Sequence, residues 1–190
     1  MSGDKPVYAS DYEGVRRGAG LALFAAARGW LGTPYEHAQR VKGVAVDCVG
    51  LVLCAAVEAG LMQWEEWDGP TQYSPWVNAE QLAAQMGRLL RPLAADEELW
   101  TGDVLLFTVG SSAQHVGVFG DARLGRPRPS VVHASLTDGR VVEHDYERFW
   151  RGRTAGRHRW RIGWLDELEK LGRAERALNL LALEREARDG

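Results

Sequence analysis

Two textures divide this chain, and their order constrains its fold more than any other feature. Up to about residue 90, apolar residues recur at helical spacing. From residue 104 onward they fall into short β-favouring runs broken by Gly, Pro, Asp and Ser. Sequential strands joined by short turns pair antiparallel. Helices first and such strands afterwards therefore predict an α+β domain with N-terminal helices packed on an antiparallel sheet.

Residues 1–14 read as a loose leader. A first helix is expected over 15–31, with Leu21, Leu23, Phe24, Ala27 and Leu31 near one face, stopped by Gly32-Thr33-Pro34. Asp47 is a good N-cap for a second helix reaching Gly60. Residues 62–78 read as an irregular excursion and 79–90 as a short amphipathic helix. Strands are expected at 104–109, 116–119, 130–134 and 140–144, the last two joined by a tight turn at Asp138-Gly139, with a further strand near 160–162. Residues 165–190 carry a leucine stripe (Leu165, Leu168, Leu171, Leu178, Leu181) and read as an amphipathic C-terminal helix, a possible docking segment.

Length and composition narrow the class. At 190 residues, 45% hydrophobic and 26% charged, the chain suits one globular domain. A net charge of -3 supplies no global basic field, so no nucleic-acid partner is expected. No stretch reaches the ~18 consecutive apolar residues of a membrane span. Arg16 and Arg17 before an apolar run superficially suggest a signal peptide. The acidic Asp4, Asp11 and Glu13, and helical spacing that continues through Trp30 and Leu31, argue for none. Two cysteines cannot build a disulfide scaffold.

Candidate chemistry centres on Cys48, in the first turn of the second helix. The helix dipole and free N–H groups there favour an anion, which predicts a thiolate stabilised relative to the ordinary pKa of about 8.5. A lone cysteine is more often a small buried hydrophobe, and Cys54, in mid-helix, fits that description. A nucleophile needs a base and the base an orienting partner. His115 and His133 sit on neighbouring expected strands, where cross-strand residues approach within about 5 Å. Taken singly, each reads slightly better as a satisfied core residue. Cys48 and Cys54 have no usual metal-ligand spacing, so neither metal nor cofactor is expected. His37 reads either as lining a cleft or, in the favoured reading, as capping the loop after Tyr35; His144 and His158 have no role argued for them.

Order and context add a resemblance. Cysteine on a helix N-terminus, then histidine on one strand and histidine on the next, resembles the NlpC family of papain-like cell-wall cysteine peptidases. Five blocks match in family order: Trp30-Leu31-Gly32-Thr33-Pro34-Tyr35, Asp47-Cys48-Val49-Gly50-Leu51-Val52, Gly102-Asp103-Val104-Leu105-Leu106-Phe107, Gln114-His115-Val116-Gly117-Val118 and Val132-His133-Ala134-Ser135. The resemblance covers about residues 15–162 and implies a peptidase domain over 15–164. Tyr35-Glu36-His37-Ala38-Gln39, Lys42-Gly43-Val44 and Gly139-Arg140-Val141-Val142-Glu143-His144 are similar to the branch associated with phage and prophage tails. Val49 stands where the usual cell-wall members carry serine, which removes a hydroxyl beside the site but not the triad.

The resemblance implies that Cys48 attacks a peptidoglycan stem-peptide amide, typically between D-glutamate and a diamino acid. His115 would act as base and His133 would orient it. The backbone N–H of Cys48 would help hold the oxyanion, and Tyr35 would sit at the cleft edge. Asp47 matches a position that faces a free substrate amine in some members, and reads equally as a plain N-cap. Tail-tip or baseplate hub proteins are the implied partners, and a virion tail tip the implied location. An acyltransferase or thioesterase on the same scaffold, or a non-catalytic tail component, are the competing readings.

Overall fold

The computed structural model describes residues 9–67, 69, 79–110, 112–122 and 126–163. Residues 17–160 form one compact unit. The remaining termini group as a second, of which 9–16 and 161–163 are described. The expected C-terminal helix and most of the leader lie outside the described residues.

Helix α1 spans Ala9–Arg28, starting earlier and ending sooner than expected. Leu23, Phe24 and Ala27 form its buried face, while Leu21 is 44% and Leu31 43% exposed. At 100° per residue Leu21 lies on the side opposite Leu23, and Leu31 falls after the helix has ended. Gly20 fits α1 closely against the loop before the sheet: a Cβ there would stand 2.1 Å from the Thr101 carbonyl oxygen. Gly102 meets Gly20 in the same contact with φ +90°, so the Gly20 and Gly102 backbones form a packing junction.

Helix α2 spans Cys48–Glu58 and has its Asp47 cap as expected. It is apolar nearly all round and buried from Gly50 to Ala56, as a central helix should be. Before it, β1 (Arg40–Val41) and β2 (Ala45–Val46) make a two-residue hairpin. After it comes α3 (Ala79–Leu89).

The main sheet holds β3 (Leu90–Pro92), β4 (Val104–Val109), β5 (Ser112–Gly120), β6 (Ser130–Ser135), β7 (Arg140–Asp145) and β8 (Thr154–Trp160). Its order is β3-β8-β4-β5-β6-β7, antiparallel throughout. The last strand inserts between β3 and β4. It runs over 154–160, not 160–162, because Thr-Ala-Gly-Arg-His-Arg-Trp has no apolar alternation and becomes a strand only through its two neighbours. The short helix α4, Arg148–Arg151, precedes it.

Alternation along the strands sorts side chains onto two faces. Val104, Leu106, Val116, Val118, Val132 and Ala134 pack with α2 in the larger core. Leu105, Phe107, Phe119, Val131 and Tyr146 form a smaller core on the other face, against which Trp150 packs.

Candidate active site

The β5–β6 ladder runs from Gly120↔Ser130 to Val118↔Val132 and stops there. Beyond it lie His115 to Gly117 on one strand and His133 to Ser135 on the other. The N-terminus of α2 meets the sheet at this opening. The backbone N–H groups of Val116, Val49 and Cys48 itself face the Cys48 sulfur and favour its anion. Val116 is the neighbour of His115, so the helix terminus and the histidine strand meet at the sulfur.

The dipole argument gives the right sign for these N–H groups and the wrong net result. Burial, and secondly the Asp47 charge, push the Cys48 thiol up to about 12 against the three donors. Thiolate stabilisation by the helix terminus is therefore outweighed. Removing a sulfur anion from water costs more here than three backbone donors return.

By alternation His115 and His133 lie on the face of the smaller core, and their rings meet there. His115 Nε2 stands 2.8 Å from His133 Nδ1. Burial pushes the His115 imidazole down to about 4 and leaves it neutral near pH 7. His133, 1% exposed, is held lower still by burial, with smaller contributions from His115 and His144. Gly117 makes room for this pair, since a Cβ there would stand 3.0 Å from His133 Cβ and 2.6 Å from Val131 Cγ2.

The chain of rings continues past the two expected histidines. His133 Nε2 stands 3.1 Å from His144 Nδ1, and His144 Nε2 lies 3.7 Å from Asp138 Oδ2. The β6–β7 register pairs His133 with Val142 and Val131 with His144, so His144 is the diagonal neighbour of His133 on one face. That register was the signal a sequence reading needed to find His144. Trp150 covers all three rings, with centroids 6.1 Å from His115, 4.6 Å from His133 and 5.9 Å from His144. It comes from α4, which the sequence pattern did not suggest.

Asp47 is 2% exposed and both its oxygens are engaged by backbone. Oδ1 accepts from Gly50 N–H at 2.7 Å, and Oδ2 accepts from Ala38 N–H at 2.8 Å. His37 Nδ1 lies 3.7 Å from the same Oδ2. One carboxylate thus caps α2 and pins the loop after Tyr35.

Tyr35 is held between β2 and the β6–β7 turn, bridging to Val46 and donating its N–H to the Gly139 carbonyl at 2.8 Å. Burial, then the charges of Cys48 and Asp47, raise its phenol to about 12, so the hydroxyl stays protonated in electrostatic range of the sulfur. Cys54 is buried in α2, and His158 pairs with Val104 on β8, away from this cluster. Among the described residues, no group of three or more His, Cys, Asp or Glu is arranged to hold a metal ion. None of the described helices is long and apolar enough to cross a membrane.

Chemically, the arrangement offers a thiol, a neutral imidazole base in a chain of hydrogen-bonded rings, a phenol donor and the N–H groups of a helix terminus. No family model and no curated protein matches the sequence. Solved structures do match in fold. An N-acetylmuramoyl-L-alanine amidase from Bacteroides uniformis aligns with a TM-score of 0.56 at 14% identity, over 75% of this chain and 99% of that one. NlpC2 from Trichomonas vaginalis aligns with a TM-score of 0.51 at 17% identity, over 75% and 47%. An NlpC/P60 family protein from Bacillus cereus aligns with a TM-score of 0.50 at 20% identity, over 74% and 40%. The chain spans less than half the length of the last two. The shared architecture is the α+β, papain-like arrangement of the NlpC/P60 proteins.

Proposed function

We propose that this protein is a cysteine endopeptidase that cleaves amide bonds in peptidoglycan stem peptides, with Cys48 as nucleophile and His115 as base. The observation that carries it is the approach of the Val116 N–H to the Cys48 sulfur, one residue along β5 from a neutral His115 whose ring is tied to His133. A thiol near 12 and an imidazole near 4 are a neutral pair at rest, not an ion pair. The proton therefore leaves Sγ for His115 as the C–S bond forms. N–H groups at the start of α2 offer the oxyanion its donors. His115 then returns the proton to the leaving amine, and the C–N bond breaks. Water deprotonated by His115 attacks the thioester and releases the carboxylate and the free thiol.

The motif blocks support the D-glutamyl–diamino acid bond as the target. They also support a working place at a phage or phage-like tail tip, held by hub proteins. Both Asp47 oxygens are taken by backbone, which supports the capping role over recognition of a substrate amine. The apolar cavity lined by Val49, Val52, Trp67 and Val116 holds about 30 Å³. That is room for a water or two.

Digestion of purified sacculi, with mass analysis of the soluble peptides, tests the reading. Release of peptides with a new amine on the diamino acid, absent with Cys48→Ala, is expected. No release, or equal release by Cys48→Ala, overturns it. Absence of the protein from purified tailed particles of the producing strain removes the tail-tip placement alone.

A further inference from the structure

A neutral imidazole carries one proton on either of two nitrogens, and only one choice makes His115 a base toward Cys48. In a chain of three rings each choice dictates the next. If His115 holds its proton on Nε2, it donates to His133 Nδ1; His133 then donates from Nε2 to His144 Nδ1, and His144 carries its proton on Nε2. The reverse order is equally satisfied within the rings, but it places the His115 proton on Nδ1 and leaves no basic lone pair there. The rings alone therefore leave two states of opposite usefulness.

What lies beyond His144 breaks the tie. Asp138 Oδ2 stands 3.7 Å from His144 Nε2, and a carboxylate only accepts. Its position is fixed by the turn, because the Ser135 hydroxyl donates to Oδ2 at 2.5 Å while the Asp138 N–H donates to Ser135 Oγ at 3.1 Å. Trp150 lies nearly parallel to the His144 ring, at an interplanar angle of 25° with the centroids 5.9 Å apart. The far side of His144 opens on a groove of about 770 Å³ that Asp138, Asp145, Glu147, Arg148 and Arg153 also line.

We propose that His144 and Asp138 are positioning residues that set the proton order of the histidine chain, placing the His115 proton on Nε2 and its lone pair on Nδ1. This rests on the reading of Cys48 and His115 as nucleophile and base. The same order lets a proton taken up at His115 Nδ1 be matched by transfer from its Nε2 to His133, and from His133 Nε2 to His144. The charge then resides beside Asp138, with no net change at the fully buried His133.

The test needs no peptidoglycan. In a Cys54→Ala background, the rate of Cys48 alkylation by iodoacetamide is measured together with ¹⁵N imidazole spectra. The reference protein should show His115 and His133 protonated on Nε2. His144→Leu should yield mixed tautomers and slow alkylation about tenfold, equivalent to ~1.4 kcal/mol in the barrier. His144→Asn, whose side-chain oxygen replaces the Nδ1 acceptor, should recover most of both. Asp138→Asn, which leaves the rings in place, should mix the tautomers without unfolding the protein. Unchanged spectra and rates in His144→Leu and Asp138→Asn overturn the proposal. Alkylation that is also indifferent to His115→Ala instead overturns the nucleophile–base reading beneath it.

Discussion

Two polar clusters pack against the same sheet, and they are satisfied in opposite ways. At one end Asp103 and Arg159, 1% and 5% exposed, form a charged pair. Arg159 Nε and Nη2 donate to the two Asp103 oxygens at 2.8 and 2.9 Å, while the guanidinium lies 3.7 Å over the Trp100 ring. At the other end three imidazoles touch beneath Trp150 with no buried counter-charge among them. A tryptophan shields each cluster. The difference lies in where protons are allowed to go. A bidentate ion pair fixes its geometry and its protons together. A neutral imidazole chain fixes the geometry and leaves each proton two places to sit.

The sharpest way to break this contrast is to remove chemistry at one end and charge at the other. Cys48→Ala should lower hydrolysis of muropeptides by on the order of 10⁴-fold or more while leaving the melting temperature nearly unchanged. His115→Ala should come close to that loss, and the double variant should be little worse, because the residues act as a unit. Arg159→Met should do the reverse. Leaving Asp103 buried and unpaired costs about 3–5 kcal/mol in denaturant unfolding, with turnover per folded molecule largely kept. If Arg159→Met instead abolished turnover in fully folded protein, the two clusters would not be separable.

pH sharpens the comparison further. His115 and His133 have lowered folded pKa values, so the unfolded chain binds more protons below about 6.5. Their contribution to stability is complete above that pH and is lost progressively as pH falls toward about 4 and below. Cys48 has a raised value, so its contribution is complete below the ordinary thiol range and is lost as pH rises from about 9 toward about 12. Melting temperature against pH should therefore fall on both flanks. Cys48→Ala should ease the alkaline flank, to which the raised Cys54 and Tyr35 groups also contribute, and His133→Asn should ease the acid one. The smallest effect belongs to Cys54→Ala: activity within about twofold of the parent, since this thiol sits inside α2 with its Sγ 3.9 Å from the Arg40 carbonyl.

How much could be read in advance follows from the range of each interaction. Asp47 as a cap, the burial of α2 and the four middle strands β4 to β7 were legible because capping, apolar runs and turn residues act over a few positions. So was the α+β class, which follows from the order of those elements. β8 was misplaced and β3 missed, since neither carries its own apolar alternation and each exists only by pairing with the other and, for β8, with β4. Leu21 and Leu31 face outward despite their apolar spacing, because 100° per residue carries Leu21 away from Leu23 and the helix ends at Arg28.

The site divides along the same line. Residue types and their order made Cys48, His115 and His133 candidates, because a nucleophile and its base must be supplied by the chain itself. The coupling of His144 and Asp138 to them was decided by tertiary structure, through one register between β6 and β7 and one turn. So was the protonation of Cys48. The helix terminus visible in the sequence favours the thiolate, but burial depends on what packs above the sulfur, and desolvation grows with every neighbour that excludes water.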